Sequence, residues 1–115
     1  MGRISRKKIL EKITQYWPDV NPEEVMSVLD EYGEESYERE RKRVQLAILK
    51  LSAGQRDQLP KLVKMAKGDY RDVLAYAEYP AEMKLGFVKM RKLSPEEAQA
   101  IRQRDREQYL KWLED

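Results

Sequence analysis

The side chains that carry most protein chemistry are missing from this chain, because none of its 115 residues is a histidine or a cysteine. Without imidazole or thiolate groups there is no ordinary ligand set for zinc, haem or an iron–sulfur cluster. There is also no cysteine nucleophile and no serine–histidine pair. We therefore expect no catalytic residues, no cofactor and no metal ion, in a protein that is not an enzyme.

Aromatic side chains form two groups at positions where they could serve binding. At 100° per residue, Tyr70, Tyr76 and Tyr79 can share one broad face of a helix. Their rings either pack inward with the hydroxyls at the rim of the core, or form an exposed anchor for a partner protein. Near the end of the chain, Tyr109 and Trp112 either pack within the chain or dock on another protein. These five residues are the candidate protein interface.

Basic side chains at helical spacing predict an alternative function. A predicted helix over residues 56–67 carries Arg56, Lys61, Lys64 and Lys67. When such side chains gather on one face, they contact phosphates and release counterions. With the preceding helix and turn, this segment resembles a helix-turn-helix, but only two glutamines near its start could read bases. Binding of nucleic acid is therefore the alternative to binding of protein.

Charge is segregated along the sequence, although the net charge is only +2. Residues 21–40 contain eight acidic residues and one basic residue, whereas residues 41–67 contain eight basic residues and one acidic residue. These acidic and basic blocks either pair with each other and face water, or dock a partner of opposite charge. The small net charge argues against a dedicated nucleic-acid binder.

Hydrophobic residues recur at helical spacing, and no segment alternates long enough to predict a strand. A first helix is predicted over residues 5–16. Asn21-Pro22 predicts the start of a second helix, and Gly33 predicts its left-handed end. A third helix is predicted over residues 36–52. Its half over residues 44–51 is apolar almost all round, which is typical of a helix enclosed by others.

The second half of the chain predicts three more helices, over residues 56–67, 70–78 and 94–114. Asp69 is positioned to cap the helix that begins at residue 70. The last helix begins with Ser94-Pro95-Glu96-Glu97, which is close to an ideal capping box. Between them, residues 81–93 follow no single period, so a short helix and an extended segment both remain open.

Together these elements predict an all-α fold, a single compact bundle of five or six short helices around the central apolar helix over residues 36–52. A chain of this length buries enough surface for one core without metal or disulfide support. We divide it into a helical domain over residues 1–93 and a C-terminal helix over residues 94–115. Seven consecutive polar residues in that helix leave little apolar surface, so it either docks on the domain or serves as an interaction arm.

Three segments resemble parts of small helical bacterial proteins of unassigned function. They are Glu35-Ser36-Tyr37-Glu38, residues 44–51 and residues 69–80. The resemblance covers residues 20–83. It implies a bacterial, cytoplasmic and all-helical protein, and it brings no activity and no site residues.

The remaining sequence features favour a soluble module rather than a membrane protein. No apolar run approaches the roughly 20 residues of a membrane span, and without cysteine there is no disulfide framework of a secreted domain. We expect a cytoplasmic protein. The favoured function is a non-enzymatic helical module that binds another protein or a second copy of itself, and the alternative is a nucleic-acid-associated protein that uses the basic face of residues 56–67.

Overall fold

The computed structural model describes residues 5–115, so the first four residues of the predicted domain over residues 1–93 lie outside the described chain. The described residues form eight α-helices, contain no strand, and confirm the predicted all-α class. The helices are α1 (Arg6–Tyr16), α2 (Pro22–Leu29), α3 (Arg41–Ser52), α4 (Leu59–Gly68), α5 (Tyr70–Glu78), α6 (Pro80–Leu85), α7 (Phe87–Arg91) and α8 (Pro95–Glu114). One turn of 3-10 helix, Arg56–Gln58, precedes α4.

Polar side chains start three of these helices as the sequence predicts. Asn21 accepts a hydrogen bond from a backbone N–H of the first turn of α2 at 3.0 Å, and Asp69 does the same for α5 at 3.0 Å. At α8, Ser94 accepts from the N–H of Glu97, and the Glu97 carboxylate accepts from the N–H of Ser94. Each bond satisfies a backbone donor that has no partner within its own helix.

Helix α3 lies at the centre of the core and is contacted by α1, α4 and α5. The side chains of Val44, Ala47 and Ile48 are fully buried, as the apolar run predicts. Leu51, which belongs to the same run, is only partly buried because it lies in the last turn of the helix.

Helix α3 begins at Arg41 and not near residue 36, so the predicted start is wrong. Residues 36–40 form a turn that is held by hydrogen bonds to other segments. The hydroxyl of Tyr32 donates to the carbonyl of Arg39 at 2.6 Å, and the Glu38 carboxylate accepts from the N–H of Gly33 at 2.9 Å. Glu40 then has a left-handed φ of 57°, which prevents helix α3 from extending further toward the N-terminus.

Gly33 lies in the turns that follow α2, which itself ends four residues earlier at Leu29. Its φ of 105° favours glycine, and an added Cβ would lie 2.6 Å from the side chain of Arg41. The buried amide of Gln45 fixes the same segment to α3, because it donates to the carbonyls of Leu29 and Tyr32 at 2.9 and 3.2 Å.

Two short helices, α6 and α7, account for the difference between the eight helices observed and the five or six predicted. They occupy most of the segment over residues 81–93 whose structure the sequence left open. Gly86 separates them with a φ of 89°, and nothing lies near its Cβ position. Glycine is therefore favoured here by backbone conformation alone.

Helix α8 docks along the rest of the chain and contacts α5 and α6. At its tip, the indole N–H of Trp112 donates to the hydroxyl of Tyr16 at 2.8 Å. The ammonium of Lys12 contacts the carbonyl of Trp112 and lies 4.6 Å from the centre of its ring. The C-terminal helix is thus held against α1 within one chain.

Asp105 is a buried residue within the polar middle of α8, and it caps a different helix. Its two carboxylate oxygens accept from the backbone N–H groups of Ala81 and Glu82 at 2.8 and 3.0 Å. Since Tyr79 offers no side-chain cap to α6, the carboxylate of α8 supplies one from outside. Asp105, which belongs to the run of seven polar residues in α8, therefore helps to position α6.

We expect Ile48→Ala to lower the free energy of unfolding by about 2–5 kcal/mol, because it opens a cavity in the centre of the core. Leu51→Ala is the matched control on the same helix, and its loss should be smaller because that side chain is only partly buried. Urea denaturation of both variants measures the difference. Equal losses would contradict a central position for Ile48.

Asp105→Ala should cost about 0.5–2 kcal/mol, since it removes the cap of α6. The control is Glu107→Ala, an exposed acid on the same helix, which should change stability by less than about 0.5 kcal/mol. Amide hydrogen exchange gives a local readout, because the N–H groups of Ala81 and Glu82 should lose protection in the Asp105 variant alone.

Candidate functional site

Exposed hydrophobic side chains are concentrated on one part of the described chain. Of its seven large exposed hydrophobic residues, five lie on α5–α7 or at their junctions: Tyr76, Tyr79, Met83, Phe87 and Val88. We call these five residues the α5–α7 surface. Phe87 is 76% exposed and Val88 is 65% exposed, whereas most apolar side chains of the other helices are buried or partly buried. Clusters of this kind typically mark interaction sites, whereas single exposed apolar residues are normal.

The short length of α7 explains why Phe87 and Val88 face outward. A helix of five residues has little more than one turn, and it uses Met90 to contact the rest of the fold. Phe87 and Val88 precede Met90 by three and two residues, and both stay in solvent. The guanidinium of Arg91 lies 5.4 Å from the centre of the Phe87 ring and covers one face of it.

Positive charge accompanies the α5–α7 surface. Between Met83 and Leu93 the chain carries four exposed basic residues and no acidic residue. They are Lys84, Lys89, Arg91 and Lys92. None of the four forms an ion pair with the described residues 5–115, so their charge is not neutralised within this part of the chain. The surface is therefore both apolar and basic.

The first three candidate interface residues differ in their surroundings. Tyr76 and Tyr79 are exposed and belong to the α5–α7 surface, whereas Tyr70 is partly buried and packs against the core. The three tyrosines therefore differ in their exposure to solvent, although their helical spacing predicts one shared face. Tyr70 lies beside Tyr32 and Glu38 in a smaller cavity of about 290 Å³ at the other end of α5.

Tyr109 and Trp112, the other two candidate interface residues, contribute to packing inside the chain. Tyr109 is only 8% exposed, and Trp112 packs against the core and bonds to Tyr16. Conversely, sequence analysis missed Met83, Phe87 and Val88. The sequence did contain a sign of their exposure. In residues 81–93 apolar residues alternate irregularly with lysines, so no single helix face could bury all the apolar ones.

The basic face of α4 is only partly free to bind a polyanion. The ammonium of Lys67 lies 3.0 Å from a carboxylate oxygen of Glu38 and donates to the carbonyl of Glu31 at 2.7 Å. Arg56 lies 3.9 Å from Glu24. Lys61 and Lys64 are exposed and form no ion pair with residues 5–115. Two of the four candidate nucleic-acid contacts thus neutralise acids of the same chain.

Glu38 is the buried carboxylate that holds the turn before α3. Burial alone would raise its pKa, but hydrogen bonds from Lys67 and from the backbone N–H groups of Gly33 and Glu35 outweigh this effect. The pKa of Glu38 is therefore lowered from its ordinary value of 4.5. Protonation of Glu38 in the folded protein, which removes the charge from its pair with Lys67, therefore occurs only below pH 4.5.

A second feature of the site is a cleft of about 640 Å³ between α8 and the helices α3 and α5. Arg43 and Glu78 line it and form a two-point ion pair with distances of 2.7 and 2.6 Å. The hydrogen bonds that Arg43 donates to the Glu78 carboxylate raise the pKa of the Arg43 guanidinium. Tyr79 lines the same cleft, so the cleft borders the α5–α7 surface.

Neither a metal centre nor a membrane span is found in the described chain. Residues 5–115 contain no group of three or more acidic residues arranged to hold a metal ion. Over the same residues, no helix combines the length and apolar character needed to cross a bilayer.

We expect Glu38→Gln to lower the free energy of unfolding at pH 7 by about 1–3 kcal/mol, because it removes a charged partner of Lys67. A lowered folded-state pKa stabilises the fold above pH 4.5, and this stabilisation is lost as pH falls through the folded value. The difference between variant and wild type should therefore shrink below pH 4.5. Glu35→Gln, an exposed neighbour, is the control, and urea denaturation across this pH range is the measurement. A difference that does not vary with pH would contradict the role of the Glu38 charge.

Comparison of the chain with known proteins gives no relative on which a function could be based. No protein-family model matches the sequence. No curated protein and no solved structure matches it either. The resemblance to small helical bacterial proteins remains an expectation from the sequence.

Proposed function

We propose that the chain is a non-enzymatic, helical protein-binding module whose α5–α7 surface docks a partner protein. The partner presents an apolar face with acidic side chains around it. The observation that carries this proposal is Phe87, an aromatic side chain that is 76% exposed and lies among four unpaired basic residues. Protein–protein interfaces are typically centred on such aromatic anchors.

Apolar burial supplies the binding energy in this proposal. Covering a Phe or Val side chain is worth about 1.5–3 kcal/mol when it becomes fully buried. Phe87 and Val88 are adjacent in sequence and are the two most exposed apolar side chains of the surface. When a partner covers both side chains, the two neighbouring contacts contribute a binding free energy of several times RT.

The basic residues supply selectivity for the partner. Lys84, Lys89 and Lys92 carry charges without a partner among the described residues, so an acidic surface is attracted and a basic one repelled. Charges at the rim of an interface act mainly on the rate of association and on its salt dependence. The apolar contacts, in contrast, govern how long the complex lasts.

A nucleic acid would use the same positive charge in a different way. Phosphates bind basic side chains with a strong dependence on salt and gain little from aliphatic groups such as Val88 and Met83. Since the α5–α7 surface includes five large apolar side chains, we favour protein over nucleic acid. The basic residues of α4 and the turn before it also favour protein over nucleic acid as the partner, because Arg56 and Lys67 already lie near acids of the same chain.

Site-specific photo-crosslinking tests the proposal in the native cell. Phe87 is replaced by p-benzoylphenylalanine, and the matched control carries the same group at Tyr37, which is 68% exposed but lies on the acidic turn before α3. We expect one defined protein adduct at position 87 and none at position 37. Adducts at both positions, or an adduct that disappears after nuclease treatment, would contradict a protein-binding α5–α7 surface.

Affinity measurements with the purified adduct partner then separate specific binding from adhesion. Phe87→Ala should weaken binding about 30-fold, the loss expected at an interface hot spot. Lys89→Glu should slow association, whereas Lys42→Glu, an exposed and unpaired lysine on α3, should not. If Phe87→Ala has no effect, or if anionic phosphatidylserine vesicles bind the protein more tightly than the captured partner does, the proposal fails.

A further inference from the structure

The cleft between α8 and the helices α3 and α5 has the size of a small-molecule site. Its volume of about 640 Å³ lies within the range of roughly 300–1,000 Å³ that is typical of ligand pockets. One wall is apolar and includes Leu110 and Leu113 of α8. The other lining residues provide guanidinium and amide donors, the phenols of Tyr79 and Tyr109, and one carboxylate, that of Glu78. A pocket with an apolar wall and a few converging donors suits a ligand with an apolar body and one polar group.

Tyr109 provides an observation that is independent of cleft size. Its side chain is more than nine-tenths buried, it lines the cleft, and its hydroxyl has no hydrogen-bond partner among residues 5–115. Buried hydroxyls are nearly always hydrogen-bonded, because an unpaired one loses its contacts with water and gains none. A bound ligand with an acceptor group would supply the missing partner.

The electrostatic surroundings indicate that this acceptor is an anion. Arg43 is already paired with Glu78, and Arg102 lies 3.3 Å from Glu82. Arg106 also lines the cleft, is exposed, and forms no ion pair with residues 5–115. Within residues 5–115, an arginine without an ion pair, Arg106, therefore lines the same cleft as the buried and unpaired phenol of Tyr109.

The phenol of Tyr109 acts as a donor at physiological pH. Burial, with the nearby charge of Glu78 as a smaller contribution, raises the pKa of Tyr109 far above its ordinary value. The hydroxyl thus stays protonated and can donate a hydrogen bond to a carboxylate or phosphate oxygen. Because the hydroxyl is shielded from solvent, the anion reaches it only when a lining side chain turns aside.

We propose that this cleft binds a small organic anion, with its carboxylate or phosphate group held between Arg106 and the hydroxyl of Tyr109 and its apolar body against Leu110 and Leu113. The site is distinct from the α5–α7 surface, although Tyr79 borders both. Its ligand is a small molecule rather than a protein, so it adds a binding activity to the proposed function and does not depend on it.

Titration with defined probes tests the site in the intact protein. The probes are phenylacetate and phenyl phosphate, which distinguish a carboxylate from a phosphate, and phenylacetamide is the neutral control. We expect one or both anions to bind and to shift the backbone NMR signals of residues 106–113, and the amide to bind at least about tenfold more weakly. If neither anion binds at millimolar concentration, or if the shifts lie around Phe87, the proposal is wrong.

Matched variants locate the anion within the cleft. Arg106→Gln and Tyr109→Phe should each weaken binding of the anion by about tenfold, whereas Arg104→Gln, an exposed arginine on α8 that does not line the cleft, should leave it unchanged. Tyr109→Phe should not lower the melting temperature, because the hydroxyl has no partner to lose. A lower melting temperature with unchanged affinity would assign the hydroxyl a structural role and overturn the proposal.

Discussion

Enclosure of α3 is the constraint on which the rest of the structure depends. Residues 44–49 are all buried, so no side of this helix can face water over that length. Helices α1, α4 and α5 therefore contact it directly, and α2 is fixed beside it through the hydrogen bonds of Gln45. Hydrophobic burial has no preferred direction, so it requires that α3 be covered without specifying which helix covers which side.

Buried polar side chains supply the missing specificity. Gln45 bonds to the end of α2, Glu38 holds the turn before α3, and Asp105 caps α6 from the middle of α8. Each of these groups must find a partner because leaving it unpaired in the interior is costly. Such bonds join segments that are far apart in sequence, so they determine where α6 and α8 lie on the enclosed core. Tyr109 is an exception within residues 5–115, because its buried hydroxyl has no hydrogen-bond partner there.

The ion pairs of the fold determine where its unneutralised charge is exposed. Three acids of the acidic block, Glu24, Asp30 and Glu38, each lie within ion-pair distance of a basic residue of the following block. The acidic and basic blocks thus pair in part with each other, which was one of the two alternatives that the sequence left open, and this pairing neutralises part of both. The basic residues around Phe87 take no part in it. As a result, two highly exposed apolar side chains, Phe87 and Val88, occur together with unpaired basic residues in the segment of α6 and α7. The proposed function is based on this combination.

Local patterns in the sequence determined the helical class, most helix starts and the central place of α3, because capping bonds and apolar periodicity act between residues close in the chain. The start of α3 and the structure of residues 81–93 escaped prediction, since both depend on bonds and packing with distant segments, such as Lys67 to Glu38 and Asp105 to α6. The same limit applied to the candidate site. Sequence alone selected Tyr76 and Tyr79, but only tertiary packing buried Tyr109 and left Phe87 exposed, because whether a side chain is covered depends on which neighbours fold onto it.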